Sequence, residues 1–368
     1  LCFTPAFCRV KGLRRGKIQA KCRTTPKIAL SVPITSNISL IAYGIQYKQY
    51  SVLLGGLRRL KNTRAFLCKE KFGMSLYQPR RAVLYVPASH QKALAKSTTL
   101  HPDAIIYDLE DSVAPEIKQQ ARENLRRHFQ EQGQVTITQA IRINSLSTEW
   151  GQDDLRLAAR LCVQAVVLPK AETPQQIIDV ARQLDHDDAP ENLEIWAMIE
   201  TPRGILNADE IARLAQKSAA RLKSFIIGTN DIALSTGVKT TNQRSALLPW
   251  MMQVILAARA GGIDVLDGVY NNFQDQAGFA AECEQGAILG FDGKTLIHPS
   301  QIETALNSYS STAEEAAWAN QVIAAFNLPE NAGKGAISLN GTMVEQLHIR
   351  QAERILKRIP KSVKRFSD

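Results

Sequence analysis

The chain has 368 residues, of which 45 % are apolar and 22 % charged, enough for one large or two medium domains around a substantial core. Its formal net charge of +10 is not a nucleic-acid signal: residues 1–73 carry 15 Lys and Arg against Glu70 alone, and the remainder is mildly acidic. Cys2, Cys8, Cys22 and Cys68 lie in that basic segment and Cys162 and Cys283 beyond it, with no Cys-x-x-Cys pair. This usage fits no disulfide framework and points to a reducing compartment.

Residues 1–74 form a basic leader, expected to be disordered or absent from the native protein. The first methionine is Met74, just before the first convincing strand. Three readings stand open: translated upstream sequence with the natural start at Met74, an acid-poor organelle transit peptide, or a functional basic arm. The corresponding location is the cytoplasm, or an organelle matrix if the leader is a transit peptide. Residues 28–45 are uncharged but contain Pro, Ser, Thr and Asn, so no membrane span is expected.

From Ala82 onward, strand and helix signals alternate. Ala82–Val86 reads as a strand, and a helix from His90 carries Lys92 and Lys96 on one face. A strand at Asp103–Asp108 leads through Pro115, suited to a helix start, into a helix at Glu116–Gln130. Strands follow at Val135–Ile143 and Ala165–Leu168, a helix at Pro174–Leu184, a strand at Glu194–Ile199 and a helix at Ile205–Gln216. Then come a strand at Ser224–Gly228, a helix at Leu247–Ala260, a strand at Ile263–Gly268, a helix at Ala277–Leu289 and a strand at Lys294–Ile297. Eight strand–helix repeats predict a (β/α)8 TIM barrel over residues 75–310. Residues 311–368 read as a C-terminal helical extension, a lid or subunit-contact arm. It has helices at Ala313–Phe326 and Met343–Ile359 around a glycine-punctuated stretch.

Six of the apolar runs end in polar or charged groups: Ile105–Asp111, Ala140–Asn144, Ala165–Lys170, Ile195–Glu200, Phe225–Asp231 and Ile263–Asp267. Parallel barrel strands bring such ends to one face, where active sites are built. Glu200 and Asp231 end neighbouring strands, and two carboxylates with open positions suit Mg²⁺. The plainer alternative is a helix-capping Glu200 and an exposed Asp231. Arg142 faces the same mouth, either holding a substrate carboxylate or enolate charge, or pairing structurally with Glu110 or Asp111. Glu110 and Asp111 either act on metal-bound water or orient Arg142. Lys170 stands where a Schiff-base lysine could sit, but the surrounding carboxylates should keep it protonated. Gly290–Thr295 is too short between its glycines for a P-loop.

Arg81–Pro87, Tyr107–Val113, Ile199–Arg203, Gly228–Asp231 and Gly290–Ser300 together resemble the citrate lyase β-subunit-like family of the HpcH/HpaI aldolase group, which includes malyl-CoA and citramalyl-CoA lyases. The resemblance spans about residues 80–358. It implies a Mg²⁺-dependent carbon–carbon lyase that cleaves or forms a 3-hydroxyacyl-CoA thioester, yielding an acyl-CoA and a 2-oxo acid. A citrate lyase β subunit acting on a carrier-protein thioester is the alternative, and a non-catalytic binding protein the least favoured. On this resemblance Glu200 and Asp231 hold the metal, with Glu200 and Arg142 at the oxo acid. Tyr85, Lys92, Lys96, Ile297 and His298 match positions that meet CoA. Glu345, in Gly341–Glu345, stands where members often have Asp and would move the thioester α-proton. Asn230 replaces a Glu of many relatives. A homo-oligomer, trimer or hexamer, is implied because this arm reaches a neighbouring subunit in relatives.

Overall fold

A computed structural model describes residues 78–133, 135–161, 163–240 and 244–359. The leader lies outside these residues, and with it the three readings of its nature. Eight parallel strands close into a barrel: β1 Ala82–Pro87, β2 Ala104–Asp108, β3 Thr138–Arg142, β4 Ala165–Leu168, β5 Glu194–Ile199, β6 Leu222–Ile227, β7 Asp264–Asp267 and β8 Gly293–Leu296. Between them run α1 Gln91–Ser97, α2 Lys118–Glu131, α3 Gly151–Leu161, α4 Pro174–His186, α5 Pro202–Leu206, α6 Ala208–Arg213, α7 Thr229–Thr236, α8 Leu248–Gly261, α9 Gln276–Leu289 and α10 Ile302–Ser308. A TIM barrel is therefore what the chain forms.

The alternation of side chains fixes which residues can reach the mouth. Val83, Ala104, Ile106, Ala140, Val167, Trp196, Ile226 and Leu266 fill the barrel interior. Their sequence neighbours Ile105, Tyr107, Ile141, Val166, Ala197, Phe225 and Val265 pack outward under the helices. Two residues further along the inward phase lie Asp108, Arg142 and Met198, and two beyond Met198 lies Glu200. Register pairs Asp108 with Arg142 directly. At the opposite, amino-terminal end, Arg80 plugs the barrel: its guanidinium lies 4.9 Å from the Trp196 ring and pairs with Glu194 and Asp264.

The extension departs from expectation. Met343–Glu345 is not the start of a helix but strand β10, Thr342–Glu345, paired antiparallel with β9, Ala336–Leu339. Asn340 and Gly341, with φ of 50° and 80°, form the tight turn between them, the left-handed pair such hairpins require. Helices α11 Ala313–Phe326 and α12 Gln346–Lys357 enclose a small core of their own with Ile337 and Val344. Arg358, just past α12, pairs with Asp292 at the amino-terminal end of the barrel. The helix expected over Ile205–Gln216 is broken into α5, α6 and a 3-10 turn at Leu214–Gln216. Among the described residues no helix is long and apolar enough to cross a membrane.

Candidate active site at the barrel mouth

A cavity of about 350 Å³ opens at the carboxyl end of the strands, lined among others by Tyr85, Asp108, Arg142, Glu200, Asp231 and Ile297. One of its buried members is Glu200, at the end of β5 and 1 % exposed. The Lys170 backbone N–H donates to its Oε1 at 2.7 Å. Opposite it, an ideal Cβ on Gly228 would lie 2.5 Å from Oε2 and 2.4 Å from the Glu200 Cβ. Only glycine leaves room for the carboxylate. Burial first, then the Glu110 and Asp231 charges, push the Glu200 carboxyl up to about 7.

Asp231 lies in the first turn of α7 and is half-buried on the same cavity. No helix is expected here from the sequence, because α7 has no sustained apolar face and leaves Leu234 84 % exposed. A buried carboxylate held by one backbone N–H, facing a second carboxylate, is a repulsive pair that a hard cation would neutralise. The donors are all oxygen, which suits Mg²⁺ with water or substrate completing its shell. Among the described residues no group of three or more His, Cys, Asp or Glu forms a complete protein cage.

Arg142 ends β3 and is held on several sides. Its Nε and Nη2 donate to the two Asp108 oxygens at 2.6 Å each, its Nη1 lies 2.9 Å from Glu110 Oε2, and its plane sits 5.0 Å from the Tyr85 ring centre. Asp111 is more distant, at 3.8 Å. The structural pairing weighed for Arg142 is thus present, with Asp108 as its main partner. Burial alone would raise the Asp108 carboxyl, but the Arg142 charge and fork hold it below the usual carboxylate range. Asp108 also accepts the N–H groups of Glu110 (2.9 Å) and Ser112 (3.1 Å), shaping the turn after β2.

Lys170 Nζ donates to Glu110 Oε1 at 2.7 Å. Partial burial would lower its pKa, but Glu110 and the neighbouring carboxylates raise it, the opposite of the depressed pKa a Schiff-base nucleophile needs. Glu110 itself is raised by burial against the opposing pull of Arg142 and Lys170. Asp267 is not at the mouth. It points outward into the helix layer, buried between Arg244 (2.7 Å) and Lys294 (2.9 Å).

Ile297 lines the cavity edge at 40 % exposure. His298 caps the turn after β8, accepting the Ser300 N–H at Nδ1, and stacks on Phe273 with ring centres 4.6 Å apart. Lys92 and Lys96 are exposed on α1; Lys92 borders a groove between α1 and α2 rather than the mouth cavity. Glu345 is likewise not brought to the mouth of its own barrel. It ends β10 and leads into α12, where its backbone N–H donates to His348 Nδ1 at 2.9 Å. The far end of that helix is tied to the opposite end of the barrel through Arg358.

Sequence reasoning missed Asp108, Met198, Asn271 and Phe273. Asp108 was hidden inside an apolar run, although counting by two from Ile106 reaches it. Asn230 and Asn271 exchange amide hydrogen bonds of 3.2 and 2.9 Å across the β6–β7 rim, a pairing no local pattern announces.

A closed parallel barrel whose mouth gathers a surplus of carboxylates around an anchored guanidinium belongs to the TIM-barrel class that builds its sites at the strand carboxyl ends. The chain belongs, more narrowly, to the HpcH/HpaI aldolase/citrate lyase family, whose model matches residues 81–299. It is 41 % identical over 278 residues to a (3S)-malyl-CoA thioesterase of Cereibacter sphaeroides, covering 76 % of this chain and 94 % of that protein. It is 31 % identical to human mitochondrial citramalyl-CoA lyase, covering 75 % and 84 %. The CitE protein of Mycobacterium tuberculosis, crystallised with magnesium, acetoacetate and coenzyme A, superposes with a TM-score of 0.59 at 30 % identity, covering 77 % of this chain and 99 % of that one.

Proposed function

We propose that the protein is a Mg²⁺-dependent carbon–carbon lyase for a 3-hydroxyacyl-CoA thioester such as malyl-CoA or citramalyl-CoA, releasing an acyl-CoA and a 2-oxo acid or joining them. The observation that carries this reading is Glu200 and Asp231 sharing one cavity with the anchored Arg142 guanidinium. Mg²⁺ held by the two carboxylates would supply Lewis-acid polarisation to the oxygen atoms of the 2-oxo acid fragment.

The chain's own residues do the rest. Asp108 fixes the Arg142 plane, leaving Nη1 as the edge that a substrate carboxylate would share with Glu110. Breaking the bond between the hydroxyl-bearing carbon and the thioester α-carbon requires the hydroxyl proton to pass to a base at the mouth, the role proposed for Glu110 or Asp111, and leaves the bonding pair on the α-carbon. A proton must then reach that carbon, and Glu345 is the group proposed to hold it. Since Glu345 does not line the mouth cavity of its own barrel, the donor would come from another copy, in a homotrimer or hexamer. Tyr85, Ile297 and His298 border the route proposed for the CoA portion, with Lys92 and Lys96 further out as phosphate contacts. Asp111 remains a candidate for orienting Lys170 and Arg142. The same enzyme would serve in the cytoplasm or in an organelle matrix, and the mitochondrial relative fits the second.

The Cereibacter relative favours a second reading, hydrolysis of the thioester, and the CitE likeness keeps a carrier-bound thioester as a third. One assay separates them. The lyase reaction on malyl-CoA yields glyoxylate, trapped as a hydrazone, with no new thiol, whereas hydrolysis yields free CoA thiol and no oxo acid. Oxo acid release that ceases with EDTA and in Glu200→Gln supports the proposal. Thiol without oxo acid replaces it with the hydrolase, and neither product directs attention to carrier-protein substrates.

A further inference from the structure

Beside the site, the turn after β2 is gripped from two directions. On the inner side, Asp108 accepts the N–H groups of Glu110 and Ser112. On the outer side, Lys118, the first residue of α2 and 5 % exposed, turns its side chain back toward the strand end. Its ammonium donates to the carbonyls of Leu109 at 2.8 Å and Glu110 at 2.7 Å, and lies 5.4 Å from the Trp150 ring centre. Asn144 Nδ2 donates to the same Leu109 carbonyl at 2.8 Å. Asn144 is in turn held by Asp154 at 2.6 Å, and Asp154 by Arg122 at 2.9 Å.

An interior ammonium is expensive to desolvate, and this one is bonded to carbonyls and an aromatic face rather than to a carboxylate. Burial accordingly depresses its pKa. A long apolar side chain would fill the space without that penalty, so core stability alone does not account for a lysine here. Two consecutive carbonyls can meet one ammonium in only a narrow range of turn conformations. That conformation is the one that sends Glu110 between Lys170 (2.7 Å) and Arg142 (2.9 Å).

We propose that Lys118 is a positioning residue: a buried cross-link that locks the β2 turn and thereby holds Glu110 against Arg142 and Lys170 for the reaction. The proposal rests on the lyase reading for its catalytic consequence, while the locking of the turn stands independently. Lys118 touches no reacting atom. It acts through two backbone carbonyls on a residue that shares the guanidinium edge with substrate.

The test uses the full chain with Lys118→Met and Lys118→Arg. Amide hydrogen exchange should become at least about tenfold faster at residues 109–113 in Lys118→Met, with the other barrel strands unchanged. With malyl-CoA and Mg²⁺, kcat should fall at least about tenfold while KM and the calorimetric Mg²⁺ affinity stay within about twofold. Lys118→Arg, whose guanidinium can still meet both carbonyls, should restore part of kcat. Should Lys118→Met fail to fold, Lys118→Gln carries the same expectations. Unchanged exchange at 109–113, unchanged kcat, or a uniform loss of protection with kcat falling only by the unfolded fraction would each overturn the proposal. If wild-type protein cleaves neither malyl-CoA nor citramalyl-CoA, the lyase reading fails, and the exchange experiment alone decides whether Lys118 locks the turn.

Discussion

The two ends of the barrel are both rich in charge, and they use it differently. At the amino-terminal end, Arg80 sits between Glu194 and Asp264, and Asp292 between Arg259 and Arg358. Each charge there meets opposite charges, as in a structural seal. At the carboxyl end, Asp108, Glu110, Asp111, Glu200 and Asp231 outnumber the cations near them: among the described residues Arg142 and Lys170 pair with three of them, and Lys118 adds one more ammonium bonded to carbonyls. The surplus is negative, with Asp108, Glu110 and Glu200 buried, Asp231 half-buried and Asp111 exposed. A seal that balances itself needs no ligand, whereas on the proposed function the mouth is an electrostatic arrangement that a cation and an anionic substrate would complete.

The contrast can be broken most directly at Glu200. Glu200→Gln removes the negative charge of the proposed metal ligand and should lower thioester cleavage by at least about 1,000-fold, roughly 4 kcal/mol of transition-state stabilisation. Calorimetric Mg²⁺ binding should fall with it, while the melting temperature holds or rises as like-charge repulsion is relieved. At the other end the pattern reverses. Asp292→Ala leaves Arg259 and Arg358 facing each other without their shared carboxylate and should cost about 3 kcal/mol in urea unfolding. Its kcat per folded molecule should be unchanged.

Smaller effects sharpen the same line. Arg142→Lys keeps the charge but loses the forked bond to Asp108, and kcat should drop about 10- to 100-fold. The pairing also has an acid signature. Because the Asp108 carboxyl is lowered in the folded state, its contribution to stability is present above the ordinary carboxylate pKa and is lost as pH falls through the folded value. Arg142→Met should therefore move the acid-unfolding midpoint to higher pH, measured by circular dichroism. The smallest expected change is at His128, whose pKa burial lowers from 6.5 beneath the Tyr107 hydroxyl at 3.0 Å. It must stay neutral in the fold, so stability declines as pH drops below that ordinary value, and His128→Gln should flatten the slope there.

The barrel was legible because most of its strands, β1, β2, β4, β5 and β6 above all, are short apolar runs recurring between helical stretches, the pattern of buried parallel strands, whereas β3, β7 and β8 carry polar residues. β4 and β5 were placed to the residue, at Ala165–Leu168 and Glu194–Ile199. The extension was harder. Met343 and Val344 continue into a helical composition, and only the left-handed pair Asn340–Gly341 marks the hairpin that interrupts it. Residues ending strands could be named as mouth candidates from their position, but their phase could not. Glu200 points in and Asp267 points out, and that difference depends on barrel register rather than on local sequence. The long-range partners Asp108 with Arg142 and Asn230 with Asn271 have the same origin.

The hydrogen atom where Gly228 would otherwise carry a methyl group has a practical consequence. Gly228→Ala would leave every charge at the mouth in place and remove only volume, driving the Glu200 side chain from its seat. Such a variant is a charge-conserving counterpart to Glu200→Gln. Comparing the two would show whether the site depends on the presence of that carboxylate or on its location to within the width of one carbon atom.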